Sequence, residues 1–224
     1  MRRGLFLAFS ALLFVLISYL AHLWLSLLDG FPANFSPILS GKLPSTQPDK
    51  PVASRVLFIF AEKGAKLPQG GAHFQVVWPE APGHYTRYVT LLTGAPIELA
   101  GVYLTPSPVR ISHLLETMAS SGIRVAFSGP EWWKELLGPS AADLYASFFA
   151  SPSHYPRIIP EGVRFVTFFY PDFLFIHAPE GELPLEEIAE SLGFKPSHDI
   201  LAVLTPSAFV LWGRGVIPGQ YGEI

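Results

Sequence analysis

The sequence predicts an α/β domain with a mostly parallel sheet and helices on both faces, preceded by one transmembrane helix. Three observations carry this. Short apolar runs alternate with amphipathic stretches from Arg55 onward, as in strands joined by crossover helices. Several of those runs are apolar without interruption, the pattern of strands covered on both faces. Gly4 to Leu28 contains no charged residue, and a bilayer core takes roughly 20 helical residues to cross.

Composition bounds the rest. The chain has 224 residues, half of them hydrophobic and 15% charged, with a formal net charge of −3. That is too hydrophobic for a disordered chain and suits one folded domain of ordinary size. Mild acidity offers no basic surface for nucleic acid. The absence of cysteine excludes disulfides, thiol catalysis, zinc–thiolate sites and iron–sulfur clusters.

Residues 1–28 are the predicted signal anchor. A cleaved signal peptide has a shorter apolar region, about 7–15 residues, followed by a small-x-small site; no such site follows here. Arg2 and Arg3 precede the run and Asp29 follows it. The positive-inside rule then keeps the N-terminus in the cytoplasm and places the rest outside. His22 reads as a side chain turned toward the headgroups near the helix end. Residues 29–54 form a Pro/Ser-rich linker, with Pro32, Pro37, Pro44, Pro48 and Pro51 and no apolar period. Residues 55–224 are the extracytoplasmic domain.

Within that domain Val56–Phe60 is the first strand and His73–Trp78 the second. Tyr85–Thr93 reads as a helix ended by Gly94. Val109–Ser120 is an amphipathic helix with Ile111, Leu114, Leu115 and Met118 on one face. Ile123–Phe127 is a strand, Pro130–Leu137 a helix closed by Gly138, and Ala141–Ala150 a further helix. Phe173–His177 is a strand, Leu185–Leu192 a helix, and Ile200–Leu204 and Phe209–Trp212 the last strands. Their continuous apolar character sets Val56–Phe60, Ile123–Phe127, Phe173–His177 and Ile200–Leu204 parallel. Ligands of such sheets sit beyond the carboxyl ends of the strands, so chemistry belongs in the loops after Phe60, Trp78, Phe127 and His177.

Four segments in order carry a family resemblance. They are Tyr88–Pro96 (YVTLLTGAP) with Gly101-Val102, Gly122–Gly129 with Trp132-Trp133, Asp172–Pro179 (DFLFIHAP), and Phe209–Gly215 with Pro218-Gly219. Together they resemble the alkaline phosphatase superfamily, in its type I phosphodiesterase and sulfatase-like branch. The resemblance covers most of Arg55–Gly219 and implies an alkaline phosphatase-like core. It also implies two divalent metals, a Thr or Ser nucleophile and a dense set of Asp and His ligands. Two metals clamp the attacking and leaving oxygens and lower the nucleophile's pKa.

The sequence departs from that pattern where catalysis would need it. The first strand ends in Ala61-Glu62 instead of an Asp-Gly pair. The nucleophile position falls on His84, with Thr86 two residues further on. The family's His-Gly-Val turn reads Ala100-Gly101-Val102. Its late Asp-His motif is replaced by Thr205-Pro206-Ser207, and the stretch between Leu192 and Ile200 is short.

The candidate site residues follow. His84 and Thr86 stand at the catalytic position. Arg87, with the amides of the following helix, is a candidate anion contact. Glu62, His177, Glu180 and Glu182 are candidate metal ligands, for zinc or manganese if the protein is active. The bland alternative makes His177 a strand-end residue, Glu180 and Glu182 a solvated loop, and His84 a helix N-terminal residue. Trp132 and Trp133 read as core and rim, Ser128-Gly129-Pro130 as a strand-to-helix turn, and Glu186, Glu187 and Glu190 as a solvated helix face. Three functions are carried forward. The first is a non-catalytic module for extracytoplasmic binding or assembly, anchored to the membrane through residues 4–28 and needing no cofactor. The second is a metal-dependent phosphodiesterase or phosphatase with divergent ligands. The third is an envelope structural protein that docks to an envelope protein partner. None of them engages nucleic acid.

Overall fold

A computed structural model of the chain describes residues 13–21, 53–63, 65, 70–78, 85–95, 102, 106–179 and 185–223. Among them the strands are β1 (Val56–Ala61), β2 (Ala72–Gln75), β3 (Val125–Pro130), β4 (Ala146–Ala150), β5 (Phe173–Ala178), β6 (Ile200–Leu204), β7 (Ala208–Gly213) and β8 (Gly219–Glu223). The α-helices of the domain among the described residues are α1 (Thr86–Thr93), α2 (Leu114–Ser120), α3 (Trp133–Leu137), α4 (Val163–Thr167) and α5 (Leu185–Ser191).

One mixed sheet runs in the order β4-β3-β5-β1-β6-β7-β2-β8. β4, β3, β5, β1 and β6 are mutually parallel. β7 is antiparallel to both β6 and β2, and β8 lies parallel to β2. The four runs expected to be parallel are therefore parallel, with β1 at the centre between β5 and β6.

Side-chain alternation sends the parallel strands β1, β3, β4, β5 and β6 into two cores. Leu57, Ile59, Leu174, Ile176, Leu201 and Val203 face Val163 and Val166 of α4 and Leu185 and Ile188 of α5. On the opposite face, Phe60, Phe127, Phe173 and Phe175 meet Tyr88 and Leu92 of α1, Leu115 of α2, and Trp133 and Leu136 of α3. The helices thus cover both faces. Each fully buried side chain of this kind contributes about 1.5–3 kcal/mol. Phe127 and Phe175 add a stacked pair with centroids 5.3 Å apart.

Several boundaries differ from those read in the sequence. Ala141–Ala150 is not a helix. Gly138–Asp143 makes a 3₁₀ turn, and Ala146–Ala150 is β4, paired with Ala126–Pro130. The reason is a period of two: Phe148 packs into one core and its neighbour Phe149 into the other. The helix expected from Val109 begins only at Leu114, because His113 is extended and caps it. Ser128-Gly129-Pro130 is not a turn but the second half of β3, and α3 starts at Trp133. β8 follows Pro218, beyond the last strand expected.

Of the predicted 4–28 span, residues 13–21 are described; they are helical and exposed. Among the described residues no helix is long and apolar enough to cross a membrane. The predicted linker lies outside the described residues up to residue 52.

Candidate functional site

β1 and β5 are adjacent and parallel, and their register places Phe60 beside His177 and Ala61 beside Ala178. Crevices at the carboxyl ends of such strands are where open α/β sheets bind ligands. Glu62 is the first residue after β1 and His177 is the next-to-last of β5. Both side chains project onto the face covered by α1 and α3.

His177 is completely buried, whereas the Glu62 side chain is 29% exposed. The imidazole Nε2 lies 3.1 Å from Glu62 Oε1. The other ring nitrogen, Nδ1, lies 2.7 Å from Trp133 Nε1. An indole N–H can only donate, so Nδ1 accepts and the ring proton sits on Nε2, aimed at the carboxylate. Glu62 Oε1 also accepts a hydrogen bond from the Tyr88 hydroxyl. Burial, then the hydrogen bond and charge of Glu62, push the Tyr88 phenol well above its ordinary range and keep it a donor.

Aromatic rings enclose this network. Phe60 stacks on the imidazole at 5.0 Å, and Trp132 and Trp133 approach it edge-on at 5.6 Å. Tyr88 lies 5.2 Å from the same ring. Trp132 and Trp133 stack on each other at 5.1 Å, with Tyr85 edge-on to Trp132 at 5.3 Å. The rings shield the imidazole from water and lower the dielectric around it, which strengthens its hydrogen bonds, while the Glu62 carboxylate stays partly exposed.

The other predicted residues fall around this centre. Thr86 opens α1 and is buried. Arg87 is exposed and holds its guanidinium over the Trp78 ring, 5.6 Å from the centroid. Trp78 is itself fixed by a 2.9 Å hydrogen bond to the Pro206 carbonyl. His84, Glu180 and Glu182 lie outside the described residues. Of the metal ligands expected, the described part of the chain therefore brings together Glu62 and His177. Among the described residues no group of three or more His, Asp or Glu converges, and zinc takes three or four ligands. The pair that does converge is held by its own hydrogen bond and by Trp133 and Tyr88.

Among the described residues, Trp133 and Tyr88 are site residues that sequence reasoning missed. Reading Trp133 as core was correct for its ring but not for its N–H. A buried indole needs an acceptor, and a histidine on a neighbouring apolar strand was the available one.

Elsewhere the domain is pinned at the opposite, amino ends of the strands. Arg55 pairs with Asp199 at 2.7 Å and donates to the carbonyls of Leu192 and Gly193, each at 2.8 Å. Burial pushes the Asp199 carboxyl up, but the Arg55 hydrogen bond, the Lys195 amide and the neighbouring charges outweigh it and hold it below the usual range. Comparison with protein-family models and with curated proteins finds no match.

Proposed function

We propose that the chain is a membrane-anchored, non-catalytic α/β module whose extracytoplasmic domain serves binding or assembly. It keeps an alkaline phosphatase-like arrangement without that superfamily's chemistry. One observation supports this above the others: among the described residues, the polar side chains at the carboxyl ends of β1 and β5 bond to one another and to Trp133 and Tyr88. His177 accepts from Trp133 and donates to Glu62, and Glu62 accepts from Tyr88. A catalytic imidazole or metal ligand needs a nitrogen directed at substrate, water or metal. Here both ring nitrogens are engaged by protein, inside an aromatic wall. The substitutions at the family's nucleophile and late Asp-His positions point the same way.

A second reading, a metal-dependent phosphodiesterase or phosphatase with divergent ligands, draws on the closeness of Glu62 and His177 at the expected end of the sheet. Zinc or manganese would then have to displace the proton on His177 Nε2. The discriminating experiment is steady-state hydrolysis of aryl phosphate mono- and diesters by the full-length protein with zinc, manganese or magnesium. No turnover above the metal blank is expected. Metal-dependent turnover abolished by His84→Ala or Glu62→Gln would replace the first reading by the second. A docking role in the envelope would show as a stable protein partner in a pull-down from membranes.

A further inference from the structure

The chain reaches the domain at the amino end of β1, the end opposite the Glu62–His177 network. That end carries a groove of about 310 Å³, within the range of small-molecule pockets, about 300–1,000 Å³. Its walls include Leu57, Leu174, Leu192 and Phe194, with Phe168 and Tyr170 at the mouth. Phe168 is 78% exposed and Tyr170 71%. Tyr170 has a φ of +49°, a left-handed conformation rare for a bulky residue. Such strain persists only where the surroundings enforce it, and here it accompanies two large rings held out to solvent.

Two arginines line the groove. Arg55 is committed to Asp199 and two carbonyls. Arg164 is exposed and makes no ion pair among the described residues. The groove therefore offers an apolar slot, an aromatic mouth and a cation able to receive an anion. Arg55, where the chain enters the domain, is itself one of its walls. Residues 29–52 separate the apolar run from the described domain and reach no further than about 85 Å when fully extended. Tyrosine and other aromatic residues concentrate at the level of lipid headgroups, and arginine matches phosphate geometry.

We infer that this groove binds an anionic phospholipid of the anchoring bilayer, with an acyl chain along Leu174 and Phe194 and the phosphate on Arg164. The inference rests on reading residues 4–28 as the membrane anchor. It gives the domain a fixed face toward the membrane and turns the Glu62–His177 end away from it.

The test uses the full-length protein in phosphatidylcholine nanodiscs containing phosphatidylglycerol with a diazirine on one acyl chain. After photolysis, crosslinked peptides are mapped by mass spectrometry. Labels are expected in residues 1–28 and also in peptides spanning 164–174 and 190–195. Arg164→Glu combined with Phe168→Ser is expected to lower the groove labels at least fivefold relative to the anchor labels, while Arg164→Lys retains them. All these positions are exposed, and an unchanged near-ultraviolet circular dichroism spectrum checks that the fold persists. Anchor labels without groove labels, or groove labels indifferent to the double substitution, would overturn the lipid site alone. Loss of label from residues 1–28 would overturn the anchor reading, and the lipid site with it.

Discussion

Trp133→Phe removes one N–H from the candidate site and leaves most of the ring in place. Trp133 is fully buried, and its indole donates to the equally buried Nδ1 of His177 at 2.7 Å. Leaving a buried acceptor without its donor costs about 1–3 kcal/mol. The smaller ring also vacates roughly 40 Å³, which at about 24 cal/mol per Å³ adds about 1 kcal/mol. The expected loss is thus about 2–4 kcal/mol, a large share of the roughly 5–15 kcal/mol that holds a domain folded. The assay is urea unfolding of the full-length protein in non-ionic detergent, followed by near-ultraviolet circular dichroism. Trp132→Phe is the control, since Trp132 is half-buried and stacks on Trp133 face to face at 5.1 Å. It is expected to cost about 1 kcal/mol or less. Equal losses for the two variants, or a loss below about 1 kcal/mol for Trp133→Phe, would refute the view that the indole N–H holds His177.

Asp199→Asn is expected to cost about 2 kcal/mol at neutral pH, the worth of hydrogen bonds to a charged group. Because the folded carboxyl is held below the usual range, its contribution is complete above about pH 4, the unfolded value, and is lost as pH falls through the folded value. Acid unfolding of the variant should therefore be shallower than that of the wild type. His113 caps α2 by accepting from the Glu116 amide at 3.2 Å, and its buried Nε2 has no partner among the described residues. Burial lowers its pKa, against a smaller opposing effect of Glu116. Its contribution is present above the unfolded value near pH 6.5 and fades as pH falls through the lower folded value. Denaturant midpoints measured from pH 7.5 to 5 should decline, and less so in His113→Asn, which keeps a capping side chain. Gly213 has a φ of +122°, and a Cβ there would stand 2.2 Å from the Asp199 carbonyl oxygen. Gly213→Ala is expected to cost about 3 kcal/mol or more in the same unfolding assay.

The legible part of the fold is the part whose strands are buried on both faces. Val56–Phe60, Phe173–His177 and Ile200–Leu204 are continuous apolar runs, and burial on both sides allows little else. β4 was hidden because Ala146–Ala150 is short and places its two phenylalanines next to each other. Only knowing that both cores exist reveals that the two rings point in opposite directions. β8 was hidden for a different reason. Gly219–Glu223 is an exposed border strand that owes its conformation to β2, a neighbour distant in sequence. Glu62 and His177 were legible as polar residues at strand ends. Their mutual distance was not, since it depends on β1 and β5 being neighbours across more than a hundred residues. The roles of Trp133 and Tyr88 lay deeper still. Their rings fit a core reading equally well, and only the partners of their polar atoms distinguish a packing residue from one that holds a histidine.

The most direct measurement is the pair of imidazole nitrogen resonances of His177, recorded by ¹⁵N NMR on the full-length protein before and after one equivalent of zinc. The expected result is a protonated Nε2 and an accepting, unprotonated Nδ1, with both resonances unmoved by the metal. Loss of the Nε2 proton with a zinc-dependent shift of that nitrogen would contradict it, and would make the Glu62–His177 pair the beginning of a metal centre.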